Sequence, residues 1–329
     1  MMLTYGYSAD IPNKLSIFYN QAYEALYQRH DALKGAYKRD RESDLDIISF
    51  ERVLSAFCIL TYDERKFQFS RVEALQYIRK SSELVGINVN QDHFLEDLMQ
   101  AVCFLVQDGL FLTFTHRSFQ EYFTAKFIVN THDQKIKKEL LKKFYPDLWR
   151  DNIYELVYEL DPTFFETDII LPFLNEFFTR IGLKKKVGKT NFMKYCKVIY
   201  KHIEVDPKRG GLAGLINDSK AFHMIQIIYQ HVPNLNSYPH IDMGESKLKK
   251  ELIDECEKEG KERQVFSFSS ITTRDFFFNR LFNSDSYYSP KELEYLVSIR
   301  DFLEKKHRGI NNDLTKLVTN KASNRHYHP

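Results

Sequence analysis

Gly188-Lys189-Thr190 has the ending of a phosphate-binding loop, and Gly182 lies just upstream of it. Such a loop curls its backbone N–H groups around one phosphate, which requires four residues between its first glycine and Gly-Lys-Thr. Here five residues separate Gly182 from Gly188, and three of them are consecutive lysines. Residues 171–181, LPFLNEFFTRI, have helical periodicity, whereas a phosphate loop follows a buried strand. We therefore interpret the stretch as a basic loop between two helices.

A second constellation lies near the C-terminus, where Arg300 and His307 stand seven residues apart in RDFLEKKH. Seven residues are about two turns of a helix, so both side chains leave nearly the same face. The pair resembles the catalytic motif of HEPN-type nucleases, in which arginine and histidine would hold and protonate a phosphodiester. The motif is short, and a solvated helix face is the simpler explanation. A nuclease with Arg300 and His307 as catalytic residues is therefore an alternative interpretation.

The elements that would position these residues are mostly helical. Apolar residues recur at the spacing of helices in much of the chain. The predicted helices of the N-terminal half are 11–30, one from about Phe50, one near residues 70–80, and one from Asp92 to about Gln107. Beyond Lys135 the pattern remains helical, with DPKRGGLAGLIN (206–217) as a glycine-rich loop or loose turn, and Pro290 opens a last long helix.

One strand is predicted in the middle of the N-terminal half. Asp108-Gly109 marks a turn, and LFLTFTH (110–116) alternates as a strand does. Ser118 and Glu121 have the spacing of a capping box, which predicts a helix over 119–130. Three phenylalanines at helical spacing would seat that helix in the core, namely Phe119, Phe123 and Phe127. Three helices, a strand-like wing and a capped helix are the parts of a winged-helix unit.

The stretch FLTFTHRSFQEYFTAKFI (111–128) resembles the end of the winged-helix domain in NACHT-type STAND NTPases. In that family a strand ending in an aromatic residue and histidine leads into a Ser-Phe-Gln-Glu-aromatic-Phe-x-Ala helix. The matching positions here are Phe114, His116, Ser118, Phe119, Gln120, Glu121, Tyr122, Phe123 and Ala125. Residues 11–35 resemble the helical segment that precedes the winged helix in bacterial members. The resemblance covers residues 1–130.

The resemblance implies that His116 reaches the β-phosphate of bound ADP and helps to hold a closed, resting state. An imidazole N–H is a directional donor to an anion. A position between a strand and a helix would also place it beside unpaired backbone N–H groups, which favour anions. Arg117 is a second candidate for cofactor binding, with either a phosphate or a carboxylate as its partner. The residues alone also allow His116 simply to cap the following helix or to close the wing.

In that family the phosphate loop and the Mg²⁺-binding acidic strand precede the segment with which this chain opens, MMLTYGYSADIP. We therefore expect the C-terminal part of a STAND protein, as a fragment, a truncated reading frame or half of a split gene. ADP or ATP would be shared with a NACHT nucleotide-binding domain in cis or in trans. This chain alone would bind no nucleotide and would not hydrolyse it.

The function that the resemblance implies is the regulatory and sensor portion of a NACHT-like switch in antiphage defence. The trigger ligand is unknown, and activation would bring oligomerisation.

A winged helix also allows a DNA-binding regulator, but the charges of this chain oppose it. No lysine or arginine lies between Lys80 and Arg117, and the helix that would enter the groove carries Asp92, Glu96 and Asp97. A reading helix needs donors for phosphates and base edges, and an acidic helix is repelled by them. We therefore do not expect nucleic acid as a partner.

Composition agrees with a helical protein of the cytoplasm. The 329 residues are 43% hydrophobic and include only 12 Gly and 9 Pro, and a net charge of +2 gives no reason to expect a membrane or nucleic acid. Four widely spaced cysteines indicate buried thiols rather than a metal site, and no apolar run approaches the ~20 residues of a membrane span. The predicted fold is mainly α, with a helical segment (1–42), a winged-helix domain with a short β wing (43–130) and a C-terminal α-helical domain (131–329).

Overall fold

The computed structural model describes residues 14–29, 42–145, 150–209, 211–232, 247–284 and 288–323. The chain divides into two compact units, Met1–Pro162 and Thr163–Pro329. Within the described ranges it is mainly helical, with two antiparallel sheets of three strands each, so the predicted mainly-α class is confirmed. The finer boundaries at residues 42 and 130 remain predictions.

The first unit places a small sheet among helices. Its elements are α1 (Leu15–Arg29), α2 (Ile47–Asp63), β1 (Gln68–Phe69), α3 (Arg71–Val85), α4 (Gln91–Glu96), β2 (Leu105–Asp108), β3 (Phe111–Phe114), α5 (Arg117–Asn130), α6 (Gln134–Lys143) and α7 (Ile153–Leu160). The strand order is β1-β3-β2. Residues 11–13 and 30–35 of the predicted first segment lie outside the described residues.

The predicted helix from Asp92 to Gln107 is too long. Helix α4 ends at Glu96 and continues as one π-helical turn, Asp97–Ala101, after which β2 pairs with β3 from Leu105↔Phe114 to Asp108↔Phe111. The two-residue turn of this hairpin begins at Gly109, whose φ of +60° suits glycine. The prediction failed because a short apolar run is compatible with both a helix and a strand, and its periodicity does not distinguish them.

The core of the first unit is aromatic and is organised around α5. Phe123 has no exposed surface, and its ring packs edge-on against Tyr23 of α1 at 5.3 Å and against Phe104 at 5.5 Å between centroids. Phe119 and Phe127, which were predicted to be core residues too, are only half-buried. The buried residues of α5 are instead Gln120–Ala125 and Ile128, so most of the middle of the helix is enclosed and the phenylalanine stripe is not its only buried face.

The second unit combines helices with a sheet. After α8 (Pro162–Phe164) and a π-helical stretch (Phe165–Ile170) come α9 (Leu171–Ile181), α10 (Lys189–Ile199), β4 (Tyr200–Asp206), β5 (Gly211–Ile216), α11 (Ser219–His231), α12 (Lys247–Lys258), β6 (Gln264–Ser267), α13 (Phe276–Phe282) and α14 (Pro290–Ser323). The order of the strands is β5-β4-β6. The prediction of a loop over 206–217 is therefore wrong for Gly211–Ile216, which form β5, whereas residues 207–209 do form a turn between β4 and β5.

The stretch with the Gly-Lys-Thr ending is an inter-helix loop, as predicted. Helix α9 ends at Gly182, whose φ is +70°, and α10 begins after Gly188. The backbone N–H of Gly188 donates to Oδ1 of Asn191 at 2.8 Å. The loop therefore joins two helices and lacks the preceding strand that a phosphate-binding loop requires.

We predict that Phe123→Ala lowers the free energy of unfolding by about 4 kcal/mol, because it empties a fully enclosed site. Phe127→Ala is the matched control on the same helix and should cost less than half as much. Urea unfolding of the full chain, followed by circular dichroism, measures both. Equal losses would contradict the assignment of Phe123 as the central core residue of the first unit.

Candidate functional site

His116 lies at the junction between β3 and α5, in a backbone position that is well fixed. Helix α5 begins at Arg117, two residues earlier than predicted, and His116 is its N-cap residue in extended conformation (φ −141°, ψ 122°). Just before it, the N–H of Thr115 donates to the carbonyl of Phe104 at 2.9 Å, and the Thr115 hydroxyl donates to the carbonyl of Cys103 at 2.7 Å. These hydrogen bonds fix the backbone immediately before His116, and thereby the position of its Cα atom.

The imidazole of His116 is exposed and makes no capping hydrogen bond to the helix. Its ring centroid lies 6.4 Å from that of Phe119, which is a loose contact. The interpretation that the His116 side chain caps α5 is therefore wrong. The ring remains a donor at the surface, beside the first backbone N–H groups of a 14-residue helix.

The predicted capping box of Ser118 and Glu121 does not form. Because α5 begins at Arg117, Ser118 is already inside the helix. Glu121 is buried, and its Oε2 accepts the backbone N–H of Asn152 at 3.3 Å and the Asn152 side-chain amide at 3.2 Å. Glu121 therefore ties α5 to the start of α7, and sequence spacing gave no signal for so distant a partner.

Arg117 contacts protein groups on both sides of its guanidinium. Its Cζ lies 4.2 Å from the centre of the Phe67 ring, and its Nε lies 3.5 Å from Oε1 of Glu121. The side chain is 48% exposed, so solvent still reaches it. Of the two partners considered for Arg117, the structure contains the carboxylate, and a role towards phosphate remains a prediction.

Two carboxyl groups lie near Arg117: that of Glu121 is buried and that of Asp151 is half-buried. Burial raises the pKa of Glu121, and the nearby Asp151 raises it further. Burial also raises the pKa of Asp151, although the hydroxyl of Tyr62 donates a hydrogen bond to it. The same desolvation raises the pKa of Tyr62. The arginine therefore faces a pair of carboxyls that hold protons more tightly than in water.

Arg300 and His307 have separate partners in the second unit. His307 is only 8% exposed, and its Nε2 lies 2.7 Å from Oε2 of Glu166, a buried residue of the π-helical stretch. Lys306 Nζ contacts the same carboxylate at 2.9 and 2.6 Å. Arg300 donates to Asp301 at 2.7 Å and lies 5.1 Å above the Phe178 ring. This helix face is therefore largely covered rather than solvated, and the nuclease interpretation remains a prediction.

The acidic residues of the helix that a DNA-binding regulator would place in the groove are engaged within the first unit. Arg71 bonds Asp92 and Glu96 at 3.0 Å each. Asp97 is buried and accepts the backbone N–H groups of Glu42 and Ser43 at 3.0 Å each.

In the described part of the chain, no group of three His, Cys, Asp or Glu side chains is arranged to hold a metal ion. Among those same residues, no helix has the length and apolar character to cross a bilayer.

Comparison with known proteins gives one result. Residues 160–318 match the sequence model of the Short NACHT-associated C-Terminal domain, family 13. No curated protein and no solved structure matches the chain. The match begins close to the division between the two units and supports a NACHT-associated C-terminal region, with a regulatory role and a NACHT domain as its partner. It lies entirely outside residues 111–128, which carry the winged-helix resemblance.

We predict that Glu121 makes stability depend on pH in a direction opposite to that of an ordinary ion pair. Because its folded-state pKa is raised above the usual 4.5, the folded chain binds this proton more tightly than the unfolded chain. Relative to Glu121→Gln, the wild type should lose stability as pH rises from about 4.5 through the raised pKa, and the difference should then level off. Urea unfolding over that pH range measures it.

Glu83→Gln is the control for this experiment, because Glu83 is a glutamate on the surface of α3 with 71% of its side chain exposed. It should show no such dependence. A Glu121→Gln difference that stays flat with pH, or one that grows in favour of the wild type, would contradict the effect of burial.

We predict that His307→Ala lowers the free energy of unfolding by about 2 kcal/mol, because it removes a hydrogen bond to a buried carboxylate. Arg308→Ala, one residue further along α14, should cost less than about 0.5 kcal/mol, since Arg308 is 78% exposed and pairs with Glu304 of the same helix. Thermal unfolding of both variants measures the contrast. Equal effects would show that the Glu166 contact does not stabilise this unit.

The same proteins address the nuclease interpretation. Degradation of RNA by the wild type, lost in both Arg300→Ala and His307→Ala and retained in Arg308→Ala, would support it. The assay should be run at a temperature at which all three variants are folded. An intact wild type that leaves RNA uncut would contradict it.

Proposed function

We propose that this chain is the regulatory and sensor portion of a NACHT-like STAND switch. In this proposal residues 43–130 form a winged helix that closes over the nucleotide domain, and His116 donates to the β-phosphate of ADP in the resting state. The observation that carries the proposal is the exposed imidazole of His116, which the helix does not use as a cap. ADP or ATP is held by a NACHT domain supplied in cis or in trans, and this chain alone binds none.

The order of elements in the first unit supports the winged helix. Helix α2, strand β1, helices α3 and α4, and the hairpin of β2 and β3 follow one another, and β3 lies between β1 and β2 in the sheet. Helix α5 then packs against α2. The compact unit extends through α6 and α7 to Pro162. Both helices pack against α5, so they would support the winged helix on that side.

The chemistry at the start of α5 suits an anion. The first backbone N–H groups of a helix lack partners within the helix, and the helix dipole adds positive potential there. An imidazole donor at the N-cap position extends this donor set beyond the backbone. Arg117 is a second donor in the proposal, although it must share its guanidinium with Glu121.

The NACHT-associated region supports the remainder of the proposal. Residues 131–329 would read an unknown trigger, and its binding would favour an open state from which ADP is released. Nucleotide exchange would then lead to oligomerisation, with hydrolysis, if any, carried out by the NACHT domain. We place this switch in antiphage defence, as the resemblance of residues 111–128 implies, and in the cytoplasm, a reducing compartment that suits four widely spaced thiols.

We predict that His116→Ala weakens ADP binding by about 10- to 100-fold when the chain is joined to a NACHT nucleotide-binding domain. The loss corresponds to one hydrogen bond to a charged group, about 1.5–3 kcal/mol. Isothermal titration calorimetry with ADP measures the affinity, and AMP should bind equally well to both proteins because it lacks the β-phosphate.

The matched control is His132→Ala, which removes another exposed histidine from the loop after α5. It should leave ADP affinity unchanged. An unchanged affinity in His116→Ala would show that the role given to His116 is wrong.

A further inference from the structure

The second unit contains an edge strand that has few of the usual protections. Among the residues that the structure describes, strand β5 pairs with β4 and with no other strand. Its sequence, GLAGLI, contains no charged residue and no proline. Proteins normally protect such edges with charges, prolines, bulges or a covering element, because an open edge pairs with another strand. Whether β5 can pair with a further strand therefore depends on what covers the backbone groups on its outer side.

One tyrosine hydroxyl covers the middle of that edge. The backbone N–H of Gly214 donates to the Tyr288 hydroxyl at 2.8 Å, and this hydroxyl donates to the carbonyl of Leu212 at 3.5 Å. In an antiparallel strand the groups of residues i and i+2 point to the same side, so both groups face away from β4. The Tyr288 hydroxyl thus takes the place that the backbone of a further strand would occupy.

Gly214 is what allows the ring to lie so close. A Cβ atom at this position would stand 3.0 Å from Cε1 of Tyr288 and 2.9 Å from Cδ1 of Tyr200. Those two rings pack edge to face at 5.3 Å between centroids. The glycine therefore accommodates the rings of both Tyr288 and Tyr200, and a larger residue would force at least one of them to move.

We propose that β5 is an interface for β5 of a second copy of this chain, and that Tyr288 keeps this interface closed. Two copies can pair antiparallel about a twofold axis at Gly214, with Leu212 of each opposite Ile216 of the other. All the outward backbone groups of Leu212, Gly214 and Ile216 then find partners. The arrangement is isologous, as twofold dimers require.

The side chains of β5 favour pairing with β5 of a second copy of the chain. On the open face of the sheet the pairing sets Ala213 against Leu215 of the other copy, and Leu215 is 49% exposed in the single chain. Cross-strand apolar pairs of this kind stabilise a sheet, and an uncharged strand has no like charges to repel its own copy. The other edge strand, β6, has four residues and follows the charged pair Glu262-Arg263, which makes it a poorer match to itself.

The experiment is to remove the Tyr288 contact from the edge of β5 and to measure the mass of the purified chain by sedimentation equilibrium. Tyr288→Ala removes both the hydroxyl and the ring, and it should form a dimer with a dissociation constant about tenfold or more below that of the wild type. Tyr288→Phe, which keeps the ring and loses the two hydrogen bonds, should show a smaller shift in the same direction. Circular dichroism checks that each variant is folded.

Ala213→Lys supplies the matched control. In the double variant with Tyr288→Ala, two lysines would lie on the same face close to the twofold axis, and the repulsion should restore the monomer. A folded Tyr288→Ala that stays monomeric at the highest soluble concentration would overturn the proposal. A dimer that Ala213→Lys does not dissociate would overturn it too, since the contact would then lie elsewhere.

A labelled peptide of residues 209–218 decides the question if Tyr288→Ala does not fold. Saturable binding to Tyr288→Phe, tighter than to the wild type, supports an edge that accepts this strand, and no binding contradicts it. Both measurements use the chain without nucleotide and without a NACHT domain. Their failure would leave the role proposed for His116 untouched, because that role concerns the other unit.

Discussion

The burial of α5 is the constraint on which the first unit depends. Phe123 fills the aromatic core, while the neighbouring Gln120 is also fully buried and donates to the Thr61 hydroxyl at 2.9 Å and to the Lys66 carbonyl at 3.1 Å. Glu121 accepts from Asn152 on another side of the same turn. Apolar packing and directional hydrogen bonds therefore act together, so the helix cannot rotate without leaving buried polar groups unpaired.

Because α5 is fixed in this way, the candidate site at its start is rigid. The strand before it is held by Thr115, the helix after it is locked in the core, and His116 lies exposed between the two. A donor on such a rigid junction loses little freedom when it binds an anion. Its energetic contribution is nevertheless that of one hydrogen bond, so His116 would bias the balance between closed and open states by about 10- to 100-fold rather than decide it alone.

Sequence periodicity predicted the mainly helical fold, a strand over 110–116, of which Phe111–Phe114 form β3, and the inter-helix loop after Gly182, because each of these depends on local patterns. It missed β2, since Leu105 and Val106 continue an apolar run, and it missed β5, since the glycines of GLAGLI indicate a turn. The position of His116 followed from local pattern. The partners of Glu121 and His307 did not, because they come from residues 31 and 141 positions away.

The most direct test of the central claim is the NMR signal of the His116 imidazole. The chain, labelled at histidine Cε1, is bound to a nucleotide-binding NACHT domain and compared in the presence of ADP and of AMP, with His116→Ala assigning the resonance. If His116 donates to the β-phosphate, its resonance shifts with ADP and not with AMP, while that of His132 stays in place. An identical His116 resonance with both nucleotides would contradict the account.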